Sequence, residues 1–121
     1  MTYAVVLFGH GARNPAWALP MEAIATEMRA NTNTLVGLAF LEFLKPSLLE
    51  KCAEFAQAGV THVAVMPVFL AGAGHLMNDL PAILADISEQ YPMLKISQKR
   101  ALGDRTDVIS AISQSFLNDL E

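Results

Sequence analysis

The stretch from Thr61 to Asp86, THVAVMPVFLAGAGHLMNDLPAILAD, constrains the fold more than any other part of the chain. Val63, Ala64, Val65 and Met66 run without polar interruption, the pattern of a strand buried on both faces of a parallel sheet. Gly72 and Gly74 then permit backbone angles that a side chain forbids, so the chain can turn sharply. From Leu80 onward, Leu80, Ile83, Leu84 and Ile87 recur at i, i+3, i+4 and i+7, one face of an amphipathic helix. Asp79 is expected to cap that helix, with Pro81 in its first turn. His75 sits between strand and helix, outside the carboxyl end of the strand, where open α/β sheets bind ligands.

The same strand-then-helix unit recurs along the chain. Tyr3 to Phe8 reads as a first strand that stops at Gly9-His10-Gly11. Asn14 is placed to cap the next helix, with Pro15 at its first position, and Trp17, Met21, Ile24 and Met28 share a face. Pro20 argues that the regular part begins only after Leu19. Thr34 to Leu41 is a second buried strand, ending at Glu42. Ser47 and Glu50 have capping-box spacing, Leu49, Cys52, Ala53 and Ala56 make a stripe, and Gly59 stops the helix. A short fourth strand is expected from Met93 to Ser97, and a last helix capped by Asp104 that turns Ile109, Ile112 and Phe116 inward.

Alternating units of this kind imply a parallel sheet with right-handed crossovers and helices on both faces. The 121 residues fit one domain. The expected fold is α/β, a single flavodoxin-like domain over residues 1–121 with strand order 2-1-3-4. A 53% hydrophobic fraction with 17% charged residues excludes a disordered chain. A formal charge of −4 without a basic cluster argues against nucleic acid. The first apolar run is too short for a membrane span, so a cytoplasmic location is expected. The single cysteine, Cys52, falls at an apolar helix position and reads as an inert core thiol.

Under that strand order, His10, Glu42 and His75 close three neighbouring strands. Adjacent strands lie about 4.8 Å apart, so side chains of this length can converge on one ion. Two imidazoles and a carboxylate leave coordination positions open, which suits a divalent metal that is handed on. Each alone has a blander reading, and Glu42 by itself is an ordinary exposed carboxylate. His62, at the amino end of its strand, serves as a control that belongs to no such site. Arg13 and Lys45 lie past the ends of strands one and two, in reach of substrate carboxylates. Phe43, Leu70, Leu76 and Met77 are candidates to line a flat apolar ligand.

Together GHGARNP, FLEFLKPSL and PVFLAGAGHLMNDLP resemble the small sirohydrochlorin cobaltochelatases, the short CbiX-type members of the class II chelatases, over Leu7 to about Gly103. Ala12, Asn14 and the glycine distribution around Ala73 depart from many relatives, but no proposed ligand is lost. The resemblance implies that His10 and His75 are the metal-binding and catalytic histidines and that Glu42 is the acidic metal ligand. It implies insertion of a divalent metal, Co2+ first and Fe2+ or Ni2+ as alternatives, into sirohydrochlorin, with no cofactor beyond that metal. A homodimer is expected, mostly on this resemblance, since longer relatives carry two tandem copies. Two rivals remain. A histidine phosphatase is disfavoured because Gly9 stands where the arginine of an Arg-His-Gly run is needed, whereas a non-catalytic metal or tetrapyrrole carrier needs the same trio without turnover.

Overall fold

The structure is a computed structural model that describes residues 1–70 and 75–120, with 75–77 described by backbone only. Strands β1 (Tyr3–Gly9), β2 (Leu35–Phe40), β3 (His62–Pro67) and β4 (Lys95–Gln98) form one sheet in the order β2-β1-β3-β4. All three pairings are parallel. Between them lie α1 (Leu19–Ala30), α2 (Leu48–Gln57) and α3 (His75–Gln90), and α4 (Thr106–Asn118) follows β4. The expected strand order is therefore the observed one.

One core is built by Val6, Phe8, Val63 and Val65 of the sheet against Leu48, Cys52 and Phe55 of α2 and Leu80 and Ile87 of α3. On the other face Leu7, Val36 and Phe40 meet Ala18, Met21 and Ala25. Alternate strand residues thus feed opposite cores, as the period of a strand requires.

Local signals explain several element ends. Asn14 Oδ1 accepts from the Ala16 amide at 3.0 Å and starts a 3-10 turn, Pro15–Ala18, from which α1 begins at Leu19. Pro20 thus sits in the first turn of the regular helix, where no amide is missed. Ser47 and Glu50 form a reciprocal capping box at the start of α2. Gly59 takes φ +86° after the end of that helix, as a stop signal should.

Other expectations are corrected. α3 begins at His75, so Asp79 is not its cap and Pro81 stands inside it. Losing one helical amide there costs about 3 kcal/mol, and burial of Leu80 and Ile87 offsets it. β2 is shorter than Thr34 to Leu41, and β4 begins at Lys95, with Met93 89% exposed, because the preceding residues turn to bury Leu94. The buried stripe of α2 is Leu48, Cys52 and Phe55, and Leu49 faces water. In α1, Ala25 is buried rather than Ile24, and Trp17 stays partly exposed. Asp104 ends a 3-10 turn, Leu102–Asp104, instead of capping α4, because that turn puts Arg105 at the cap position. Ile109 and Phe116 do not turn inward, since α4 buries no residue.

Candidate metal and tetrapyrrole site

His10 follows the last residue of β1 and Glu42 lies just past β2, at the carboxyl edge of the sheet. Their loops are laced together by backbone. The Leu41 amide donates to the Gly9 carbonyl at 3.0 Å and the Glu42 amide to the His10 carbonyl at 3.1 Å, extending the β1–β2 ladder past the strands. Gly11 completes the lacing: its φ is +94°, and a Cβ there would collide with the Glu42 carbonyl. Only glycine meets both demands.

The result is a pair of side chains within reach of each other. His10 Nε2 is 3.5 Å from Glu42 Oε1, with the two side chains 53% and 48% exposed. The other ring nitrogen, Nδ1, is 3.3 Å from the Gly11 carbonyl. An imidazole whose Nδ1 faces a carbonyl is set to keep its proton there, leaving Nε2 free to bind a metal. Half-exposure leaves room for an incoming ion and for a substrate above it.

Phe43 is a feature sequence reasoning did not foresee in this form. Its φ is +67°, and the Leu44 amide donates to the Glu42 carbonyl two residues back at 2.8 Å. That is a γ-turn of the rare, strained hand, costing about 1–3 kcal/mol for a residue with a side chain. It holds the Phe43 ring outward, 57% exposed, with the Arg13 guanidinium 5.3 Å from the ring centroid. An aromatic face kept in water by a strained backbone is a ready platform for a flat ligand. The signal for Gly11 was the glycine pair flanking His10; for the γ-turn at Phe43, a non-glycine residue, there was none.

Lys45 is exposed at the end of the same loop and borders a groove of about 720 Å³ along the outer edge of β2, which contains neither His10 nor Glu42. Leu70 is 58% exposed past the end of β3, beside Gly103. His75 is the first residue of α3, but its side chain, with those of Leu76 and Met77, lies outside the described residues. Among the described residues no three metal-binding groups converge, so the structure brings together His10 and Glu42, flanked by Arg13 and Phe43. His62 is at the opposite edge of the sheet, paired across from Tyr3.

The CbiX family model matches residues 4–118. The chain belongs to the CbiX family. Its likeness to a sirohydrochlorin cobaltochelatase of Methanosarcina acetivorans is 35% identity over 78% of this chain and 74% of that one. To a sirohydrochlorin ferrochelatase of Bacillus subtilis it is 27% over 93% of this chain but only 43% of the relative. The chain thus spans less than half the length of that curated relative. The solved sirohydrochlorin chelatase SirB of Bacillus subtilis subspecies spizizenii, in complex with cobalt, superposes with a TM-score of 0.83 at 27% identity, covering 98% of this chain and 51% of that one. A CbiX protein from Marinobacter aquaeolei has the same fold, with a TM-score of 0.87 at 24% identity. No helix among the described residues of this CbiX chain is long and apolar enough to cross a membrane.

Proposed function

We propose that this chain is a chelatase that inserts a divalent metal, Co2+ first, into sirohydrochlorin or a related tetrapyrrole in cobalamin- or sirohaem-type biosynthesis. The observation that carries it is the His10–Glu42 pair, 3.5 Å apart and open to solvent at the carboxyl edge of a CbiX sheet. The relatives named for cobalt or iron insertion support the reaction class. The metal, whether Co2+, Fe2+ or Ni2+, is substrate here, and the reading requires no resident cofactor.

The chemistry suits these groups. Neutral His10 Nε2 and the Glu42 carboxylate replace water on the ion, the carboxylate offsetting part of its charge. As the ion moves onto four pyrrole nitrogens, two N–H bonds break and two protons leave, so a neutral macrocycle gains the dication without net change in charge. Imidazole accepts such protons readily. In this reading His75, at the start of α3, shares the ligand and base roles, while Phe43, Leu70, Leu76 and Met77 line the macrocycle and Arg13 and Lys45 take its carboxylates. The enzyme works in the cytoplasm as a homodimer, because one strand-end face leaves a wide ring half exposed.

Absorbance changes on adding Co2+ or Fe2+ to sirohydrochlorin test this directly. His10→Ala and His75→Ala are expected to lose about a hundredfold or more in rate, and His62→Ala to keep the full rate. Insertion by the unaltered protein no faster than the spontaneous reaction, with tight metal binding, would establish the carrier instead.

A further inference from the structure

The loop that carries His10 closes on itself. It leaves β1 at Gly9, runs through His10, Gly11 and Arg13, and is turned at Asn14. There the Asn14 side chain accepts from the Ala16 amide and its carbonyl accepts from the Trp17 amide, both at 3.0 Å. The 3-10 turn so formed brings Trp17 back to the residue where the loop began. Where Gly9 would carry a Cβ, Trp17 Cη2 is 3.0 Å and Met21 Sδ 2.6 Å from that point. The outer edge of the indole thus lies against the backbone next to His10.

The same ring meets the neighbouring strand. Trp17 packs edge-on against Phe40, with centroids 6.3 Å apart and planes at 65°. Gly9 and Phe40 face each other as the last pair of the β1–β2 register. One step further on, the Leu41 and Glu42 amides donate to the Gly9 and His10 carbonyls. The indole therefore props the last rung of the ladder before the His10–Glu42 pair.

Core packing alone does not account for this placement. Ala18, Met21 and Ala25 are the residues of this segment that fill the core of that face, whereas Trp17, the chain's only tryptophan, is 40% exposed. An indole turns about only two side-chain torsions, which makes it a stiff prop. Without it Gly9 loses much of its support on the helix side, while Gly11, beyond His10, stays locked to Glu42. What loosens is the backbone of His10 between them. With it goes the 3.3 Å approach of Nδ1 to the Gly11 carbonyl, which holds the ring proton away from Nε2.

We propose that Trp17 is a positioning residue: through Gly9 it fixes the backbone of His10, so that the imidazole keeps its proton on Nδ1 and presents Nε2 bare toward Glu42. That Nε2 then takes a metal rests on the chelatase reading, but the positioning of the ring does not. Partners that orient a metal-binding histidine carry about 10–100-fold in affinity. Trp17 acts at one remove, through backbone, so the lower end of that range applies.

Imidazole 15N shifts, read at a pH where histidine is neutral and assigned with His10→Ala, report the tautomer without metal or substrate. In the unaltered protein His10 is expected in the Nδ1–H form. In Trp17→Ala it is expected as a mixture of both forms, with His62, whose Nδ1 is 2.8 Å from Thr61 Oγ1, unchanged. Trp17→Phe keeps a ring for Phe40 but stops short of Gly9. It is expected to show the same mixture with unchanged circular dichroism, which covers the case in which Trp17→Ala fails to fold. Co2+ titration without tetrapyrrole, followed by ligand-field absorbance, is expected to give about tenfold weaker binding in both variants. An unshifted His10 tautomer in the folded variants, whatever their loss of stability, would make Trp17 packing material and overturn the proposal. A shifted tautomer with Co2+ binding that ignores His10→Ala would leave the positioning standing and sink the chelatase reading instead.

Discussion

His10 and His62 stand at opposite ends of one sheet and are treated in opposite ways. His62, the first residue of β3, lays its ring on Tyr3 with centroids 4.8 Å apart and holds Nδ1 2.8 Å from Thr61 Oγ1. One ring nitrogen and one side of the ring are thus engaged by its neighbours. His10 has an oriented Nδ1, a carboxylate neighbour and about half of its side chain in water. The difference lies in what fixes the ring. At the amino edge side chains do it; at the carboxyl edge two backbone loops do it and leave the reactive nitrogen open, which is what catalysis asks of a scaffolded loop.

The largest expected effect therefore comes from a residue with no functional group. Gly11→Ala adds only a methyl, yet it meets the Glu42 carbonyl at a φ of +94°. We expect at least about 3 kcal/mol of lost stability in urea and loss of metal insertion even where folded protein is recovered. Unchanged stability in Gly11→Ala would mean that the loops are not locked together and would break the contrast between the two ends.

How much of this was legible follows the range of the interactions. Capping by Asn14 and by the Ser47–Glu50 box is settled within a few residues, and those signals placed the helix starts. The strand order followed from alternation and chain economy, and so did the adjacency of His10 and Glu42. The start of α3 was misplaced because Asp79 and Pro81 are strong local signals that burial of Leu80 overrides. The inward face given to α4 failed for the reverse reason: periodicity shows that Ile109 and Phe116 share a helix face, not that the face is buried. The contact of Gly11 with Glu42 joins residues 31 apart in sequence, and the turn at Phe43 uses a backbone angle that phenylalanine does not advertise.

Phe43 sharpens the comparison with a smaller effect. Phe43→Gly removes the side chain that makes a φ of +67° costly, so stability is expected to hold or to rise by up to about 1 kcal/mol. Tetrapyrrole affinity, followed by absorbance titration, is expected to fall about two- to tenfold, since loss of an aromatic stacking partner costs about 0.5–1.5 kcal/mol. At the amino end Tyr3→Leu should behave the other way, losing about 0.5–1.5 kcal/mol of stability with its ring contact to His62 while the insertion rate stays put. If Phe43→Gly lost stability and kept affinity, the ring would be packing material like that of Tyr3.

Between the two ends lies the covered middle of the sheet, where Cys52 offers the mildest test. Fully buried against the strands by α2, its thiol is pushed up from 9.0 to about 11 by loss of solvation. In the unfolded chain the thiol ionises near its ordinary value, and in the folded chain only near the raised one. Stability from this source is therefore intact below about pH 9 and is lost progressively as pH rises toward 11, by roughly 1–2 kcal/mol. Cys52→Ala is expected to start lower because of the small cavity it leaves, and then to decline less steeply across that window in urea titrations. Every other ionisable group is the same in both proteins, so the difference between the two curves isolates the thiol. Parallel curves would mean that water reaches Cys52, and that the middle of the sheet is as open as the edge that carries His10.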